Sequence, residues 1–239
     1  MHMKAIALIT IIFLTLNVFA QQVIMEQDVA KDTVPSDFGP NLKNFSHFYT
    51  AFGIIAGAPH GYGTNIRYGN SSDFNTGFRY KRKLSNFYSL GFDLGYGLTS
   101  FKLKQDSTKI LPNAKLHYNE KINFNHLKLI LYNRFNFGKR GNHIGNFIDI
   151  AAYGDWEFSV KHIYTDKHPL LNVDNATTTK VVNTGLAYTN PFNYGVQTRI
   201  GFNRYVLYGS YRLSELFKDP FSYPELPRLI IGFQISMHG

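Results

Sequence analysis

Apolar and polar residues alternate with a period of two along eight stretches of this chain. The clearest stretch carries on one face Tyr88, Leu90, Phe92, Leu94, Tyr96 and Leu98, and on the other Ser89, Gly91, Asp93, Gly95, Gly97 and Thr99. Because successive side chains of a β-strand point to opposite faces, each stretch predicts a strand with one apolar face. The predicted strands cover residues 44–57, 72–82, 86–104, 120–137, 146–164, a weak stretch that ends at 202, 205–213 and 228–237.

The connections between these strands alternate between long and short along the whole chain. The second, fourth and sixth connections are short, and the first, third, fifth and seventh are long. Outer-membrane barrels have short turns on the periplasmic side and long loops on the outer side. The pattern therefore predicts an all-β fold, an eight-stranded antiparallel up-and-down transmembrane β-barrel with short periplasmic turns and long extracellular loops.

The segment before the strands has the features of an exported protein. Residues 1–20 contain one lysine, an apolar run from Ala5 to Leu16 and a small residue, Ala20, before Gln21. This is the pattern of a secretory signal peptide, and the apolar run is short for a transmembrane helix. We expect a signal peptide at 1–20, a periplasmic N-terminal segment at 21–43 and the barrel domain at 44–239. The chain has no cysteine, so the fold forms without disulfides.

Aromatic residues and charge fit a membrane surface. Phe, Tyr and Trp make up 16% of the chain and recur on the apolar faces, where rings at a membrane interface would lie. The predicted lower ring is Tyr88, Phe137, Phe202 and Tyr205, and the upper one is Tyr96, Trp156 and Phe158. The formal net charge is +9, but no basic run carries a nucleic-acid motif. We expect outer-membrane lipid as a partner, and no nucleic acid.

The opposite faces of the strands predict a charged interior. An eight-stranded barrel is just wide enough for its side chains to fill it, so a water-filled pore is not expected. If Phe137 lies opposite Asn146, the same register places Arg134 opposite Asp149, Lys128 opposite Asp155 and His126 opposite Glu157. Such a network favours an interior salt-bridge ladder that serves as the core, and a proton or ion path is the alternative. The predicted interior polar network is Arg79, Asp93, His126, Lys128, Arg134, Asp149, Asp155, Glu157, Arg199 and Arg212.

Candidate chemistry is sparse in this sequence. The chain has no nucleophile elbow, zinc-ligand spacing or phosphate loop, so no catalytic, cofactor or metal site is predicted. Ser159, His162 and Asp166 are spaced for a hydrolase set, but Ser159 and His162 have opposite parity and would face opposite sides. The last long loop, 214–227, contains apolar residues that would fold over the barrel mouth as a lid or bind a partner protein. These candidate partner-binding residues are Leu216, Phe217, Phe221, Tyr223 and Leu226.

The signal peptide, the eight tyrosine-rich strands and the closing segment YRLSELFKDPFSYPELPRLIIGFQIS resemble the outer-membrane β-barrel domain family common in Bacteroidota. That family includes PorT-like proteins of the type IX secretion system, and the resemblance covers about residues 44–239. It implies a cell outer-membrane location and a non-enzymatic structural or interaction role, with no cofactor and with protein partners at the extracellular loops. A type IX secretion accessory is one form of that role. A barrel enzyme acting on lipid or peptide, or a small-solute channel, is the alternative function.

Overall fold

Nine β-strands make up most of the computed structural model, which describes residues 37–59, 62–138, 141–167, 177–221 and 223–237. The predicted signal peptide and residues 21–36 of the predicted N-terminal segment lie outside the described residues. Two single 3-10 turns, Tyr68–Asn70 and Asp219–Phe221, lie in the connections. In the part of the chain that the structure describes, no helix is long and apolar enough to cross a membrane. The strands are β1 (Asn44–Ala56), β2 (Ser72–Lys83), β3 (Tyr88–Lys102), β4 (Asn119–Phe137), β5 (Asn146–Lys167), β6 (Thr178–Thr184), β7 (Phe192–Phe202), β8 (Tyr205–Arg212) and β9 (Leu229–Met237).

Eight of these strands form a closed antiparallel ring. Each strand pairs with its neighbour in the chain, β5 pairs with β7, and β9 pairs with β1 to close the ring. The remaining strand, β6, pairs with the C-terminal end of β5 and lies outside the ring. The all-β class and the eight antiparallel strands predicted from the alternation are therefore confirmed.

The outer face of the ring is apolar, and its inner face is charged. Arg79 and Arg199 on the inner face have no exposed surface, whereas Leu94 and Leu131 on the outer face are 56% and 58% exposed. We call the outward apolar side chains the apolar belt. Its members include Phe48, Phe52, Phe78, Leu90, Phe92, Leu94, Tyr96, Leu127, Leu129, Leu131, Ile150, Trp156, Tyr194, Val196, Ile200, Leu207, Ile231 and Phe233.

Short connections lie at one end of the ring. Asn203 and Arg204 join β7 to β8, and Asn203 has a φ of 57°. This is the left-handed conformation that a two-residue hairpin turn requires and that asparagine tolerates. Residues 37–43 pack at the same end, where Asn41 donates a hydrogen bond to the carbonyl of Gly141 at 2.9 Å.

A β-bulge changes the predicted facing of the outer part of β5. His126 pairs with Glu157, but Asn125, the residue before it in β4, pairs with Ser159. Phe158 is therefore an extra residue in β5. A bulge reverses the in–out alternation beyond it. Strict alternation would place Val160 outward together with Trp156 and Phe158, and that expectation is wrong: Val160 packs against the buried cluster that contains Phe124.

The fifth connection also differs from the prediction. Residues 165–179 were predicted as a long loop that precedes a weak sixth strand ending at 202, but β5 continues to Lys167 and its residues 161–167 pair with β6, residues 178–184. This segment contains β-branched Thr178, Val181 and Val182, which suit a strand even without strict apolar alternation. Between them, residues 168–176 lie outside the described residues.

Gly201→Ala should destabilise the ring. A Cβ at position 201 would lie 2.0 Å from the ring of buried Phe147, and over-packing of this kind costs about 1–3 kcal/mol. The control is Gly209→Ala on neighbouring β8, where a Cβ meets no atom within 4 Å. Urea unfolding followed by the fluorescence of Trp156, the single tryptophan, measures both. Equal midpoints for the two variants would contradict the packing of Phe147 over position 201.

Candidate functional site: the charged interior and its covered mouth

Three arginines and two aspartates from five strands form an ion-paired group inside the ring, which we call the arginine cluster. Arg79 donates to both carboxylate oxygens of Asp93, with both distances 2.7 Å. Arg134 makes the same bidentate contact with Asp149, with distances of 2.7 and 2.9 Å. Arg199 lies between them, 3.0 Å from Asp93 and 3.5 Å from Asp149. All five side chains are at most 1% exposed, so the cluster is held entirely within protein.

Aromatic rings cover the guanidinium groups of the arginine cluster. Tyr132 lies beside all three, with ring centroids 5.6 Å from Arg79, 5.2 Å from Arg134 and 5.1 Å from Arg199. Phe147 lies closer still, 3.5 Å from the guanidinium carbon of Arg134. A cation over an aromatic face is attracted by the ring quadrupole, most strongly where water is excluded. The rings therefore partly offset the third positive charge, which has no carboxylate of its own.

A second group, which we call the acid cluster, lies on the mouth side, the end with the long loops. It consists of Asp73, Asp155 and Glu157 together with Lys128 and His126. Lys128 Nζ is 3.5 Å from Asp155 Oδ2, and His126 Nδ1 is 3.6 Å from Glu157 Oε2. All five side chains are buried. Carboxylates outnumber cations in this group, in contrast to the arginine cluster.

The register between β4 and β5 agrees with the sequence analysis. Phe137 pairs with Asn146, and the same register brings together Arg134 with Asp149, Lys128 with Asp155, and His126 with Glu157. The register prediction is confirmed because the short turn fixes which residues oppose each other. All ten members of the predicted network are buried side chains on the inner face: Arg79, Asp93, His126, Lys128, Arg134, Asp149, Asp155, Glu157, Arg199 and Arg212.

Two interior carboxylates were missed by the sequence analysis. Asp73 shares the inward parity of Arg79 on β2, so the alternation alone could have identified it. It accepts hydrogen bonds from Thr99 at 2.7 Å and from Tyr208 at 3.3 Å. Glu225 lies in the last long loop and pairs with Arg212 at 2.7 Å. No periodic signal marks a loop residue that folds back into the interior.

The loop that contains Glu225 covers the mouth of the ring. Leu216, Phe217 and Leu226 are at most 3% exposed and belong to the largest buried apolar cluster, which also contains Phe101 and Phe124. The loop was predicted either to fold over the mouth as a lid or to bind a partner protein, and in the structure it folds over the mouth. These three side chains are therefore enclosed and do not form the partner-binding surface that was the other prediction.

The remaining two residues of that prediction are more accessible. Phe221 is 44% exposed, and Tyr223 donates a hydrogen bond at 3.0 Å to the carbonyl of Pro112 in the second long loop. The lid also binds the interior through Glu225, which accepts a hydrogen bond from Arg212 at 2.7 Å and, within the lid, one from the backbone N–H of Leu216 at 2.8 Å. The lid is thus tied both to Arg212 and to a neighbouring loop.

Glu120 organises the outer extension of the sheet, beyond the apolar belt. Its carboxylate is within 2.7 Å of His162 Nε2, Lys109 Nζ and Gln105 Nε2. Burial would raise the pKa of Glu120, but the hydrogen bonds from His162, Lys109 and Gln105 outweigh it and hold the pKa below its ordinary value of 4.5. This carboxylate therefore anchors the second long loop to β4 and β5.

The hydrolase-like set of the sequence is not assembled. His162 pairs with Glu120, whereas Asp166 pairs with His117 at 2.9 Å. A groove of about 290 Å³ lies beside these pairs and is lined partly by Tyr164. The arrangement supplies two histidine–carboxylate pairs, but it does not bring Ser159, His162 and Asp166 together as a set.

Space inside the ring is small. One cavity of about 10 Å³ lies between Asp73, Lys128 and Tyr208, and another of about 30 Å³ lies between Lys128, Asp155 and Glu157. Each has room for about one or two water molecules. The inner face is therefore filled by side chains at these levels.

Comparisons of this chain with protein-family models, with curated proteins and with solved structures give no match. The function of this chain is therefore inferred from its own residues, their geometry and the sequence resemblance. The features that carry this inference are the apolar belt, the arginine cluster, the acid cluster and the lid.

Asp149→Asn should destabilise the protein more than Arg134→Met. Asp149→Asn leaves three guanidiniums with one carboxylate, and removing one partner of a buried ion pair costs about 3–5 kcal/mol. Arg134→Met leaves two guanidiniums with two carboxylates, and Arg199 still contacts Asp149. Urea unfolding followed by Trp156 fluorescence gives both free energies. Equal losses would mean that Arg199 does not share Asp149.

Stability should fall in acid because of Glu120. Since its pKa is lowered in the folded protein, its contribution is present above the ordinary value of 4.5 and is lost as the pH falls through the folded value. Glu120→Gln should therefore flatten the fall in unfolding free energy between about pH 5 and pH 3. The control is Glu215→Gln in the lid loop, where the carboxylate is exposed. Identical pH profiles for wild type and Glu120→Gln would contradict this role.

Proposed function

We propose that this chain is a non-enzymatic outer-membrane protein whose ring spans the membrane as a side-chain-filled β-barrel. The observation that carries the proposal is the apolar belt. Large apolar side chains such as Phe52, Leu131 and Ile150 are more than half exposed, and exposed outward apolar side chains occur on all eight strands of the ring. The charged side chains of the inner face are enclosed. Monomeric soluble proteins rarely expose contiguous apolar patches beyond a few hundred Å², but a bilayer would bury this belt. Transmembrane barrels have this arrangement of an apolar exterior and a polar interior.

Aromatic residues at both edges of the belt support the membrane assignment. Tyr88 and Tyr96 lie eight residues apart on the outer face of β3, which spans about 26 Å of strand, or about 20 Å along the membrane normal with a tilt near 40°. That is close to the apolar height of about 25 Å in outer-membrane barrels. Near the upper edge, Phe158 contacts both Tyr96 and Trp156, with ring centroids 6.2 and 6.3 Å apart.

The filled interior favours a structural or interaction role over a small-solute channel. The arginine cluster occupies the inner face, and the lid covers the mouth with Leu216, Phe217 and Leu226. A solute would have to displace both. An enzyme that acts on lipid or peptide is the alternative from a different class, and it would have to use the groove beside His117 and His162.

Protein partners would bind at the outer loops. Several apolar side chains there are exposed without belonging to the belt, and such side chains are typical contacts for a partner. A role as a PorT-like accessory of type IX secretion is the finer form of this proposal and rests on the sequence resemblance. The exposed loop residues are Tyr62, Ile110, Leu116, Tyr118 and Phe221.

The decisive experiment combines capture and conductance. Cross-linking from native outer membranes, with a photoreactive group at Tyr62 or Phe221, should recover a defined protein partner. The purified protein should show no steady conductance in planar bilayers. Reproducible conductance would overturn the filled-barrel proposal in favour of a channel. Hydrolysis of lipid or peptide by the purified protein would favour the enzyme alternative.

Leu94→Arg should block stable assembly in the outer membrane. Leu94 lies in the middle of the belt and is 56% exposed, and arginine at the bilayer midplane costs about 2–4 kcal/mol in barrels of this type. The matched control is Ser100→Arg, on the same strand and face but beyond Tyr96, beside Lys102 and Asn123. Heat-dependent gel mobility and membrane yield measure both variants. Equal yields would contradict the membrane position of the belt.

A further inference from the structure

Three metal-ligating side chains of the acid cluster converge at one point inside the ring. His126, Asp155 and Glu157 each offer a ligand atom, and these atoms lie within 4.8 Å of one another. His126 Nδ1 and Glu157 Oε2 are 3.6 Å apart. Neighbouring ligands of a tetrahedral ion with bond lengths near 2.1 Å are about 3.4 Å apart. The cluster therefore needs only a small closure to surround one ion.

His126 Nδ1 and Glu157 Oε2, which face one another, are also without a hydrogen-bond partner. Both ring nitrogens of His126, which is 1% exposed, have none, and neither do Asp155 Oδ1 and Glu157 Oε2. The second oxygen of each carboxylate is held by a neighbour: Asp155 Oδ2 lies 3.5 Å from Lys128, and Glu157 Oε1 accepts a hydrogen bond from Asn193 at 3.2 Å. On each carboxylate, one oxygen is held by a neighbouring residue and the other is available to bind an ion. Carboxylates that bind metal ions are oriented by neighbouring residues in this way.

The charge around this point also lacks compensation. The acid cluster and its connection to the lid contain four buried carboxyl groups and two buried lysine or arginine side chains, which leaves two carboxyl groups without such a partner. Uncompensated charge inside a protein is costly, and a dication would neutralise it. A cavity of about 30 Å³ adjoins Lys128, Asp155 and Glu157. The charged side chains are Asp73, Asp155, Glu157, Glu225, Lys128 and Arg212.

We propose that His126, Asp155 and Glu157 bind one divalent transition-metal ion, with Zn²⁺ as the best fit to one imidazole and two carboxylates. An imidazole ligand favours Zn²⁺ and other late transition metals over Mg²⁺ and Ca²⁺, which take oxygen ligands. The ion links β4 to β5 next to the β-bulge, and three protein ligands leave its fourth position for a water molecule. Gly97 leaves the space that the His126 ring occupies, since a Cβ there would lie 2.0 Å from Nε2.

The test is a titration of untagged full-length protein, refolded in detergent, with Co²⁺ as a spectroscopic substitute for Zn²⁺. One equivalent should bind and give the visible absorption of four-coordinate cobalt, and Zn²⁺ should displace it. His126→Gln and Glu157→Gln should each weaken binding by at least about tenfold. The control is His47→Gln, the same change at a buried histidine outside the cluster, which should bind as wild type does.

A second readout keeps the outcome independent of the absorption spectrum. Zn²⁺ should raise the urea midpoint of wild type and of His47→Gln, because an ion that binds only the folded state stabilises it. It should not raise the midpoint of Glu157→Gln, whose folding is checked by heat-dependent gel mobility. No saturable binding, or equal binding by wild type and both cluster variants, would overturn the proposal. Either result leaves the membrane assignment standing, because that assignment rests on the belt.

Discussion

Pairing between β1 and β9 is the contact on which the rest of this structure depends. Nine residues of β1, from Phe48 to Ala56, pair with β9 and join the two ends of the sheet. Closure gives every strand of the ring two neighbours and leaves no edge whose backbone groups lack a partner. It also fixes the circumference, and with eight strands the interior is only wide enough for side chains. What lies inside must therefore fill that space and satisfy its own charges.

The charged interior meets this requirement by sharing ions between strands. Arg199 on β7 contacts Asp93 on β3 and Asp149 on β5, so one guanidinium connects strands on different sides of the ring. Such contacts act as a core together with the buried rings of Tyr132 and Phe147. The two halves are not equal: the arginine cluster has one excess positive charge, and the acid cluster has excess negative charge. This separation is the physical basis for expecting a cation on the mouth side.

Side chains of the lid form part of the packed interior. Glu225 leaves the loop to pair with Arg212, and Leu226 beside it is completely buried. The loop therefore contributes both a counter-charge and apolar packing to the mouth. The arginine cluster and the lid both occupy the interior of the ring, and this filling supports our proposal of a structural or interaction role over transport.

The sequence by itself determined the features that arise from neighbouring residues. Alternation with a period of two defined the strands and their faces, and the short turns set which residues oppose each other, so the pairs of Arg134 with Asp149 and Lys128 with Asp155 were predictable. The tertiary structure alone decided the rest. The bulge near Ser159 turned Val160 inward because packing against Phe124 outweighs strict alternation. Arg199 meets Asp93 only because ring closure brings together strands far apart in the chain, and Glu225 meets Arg212 only because the loop folds back over the mouth. Local patterns cannot encode such contacts, because they depend on the diameter of the ring and on which strands face each other across it.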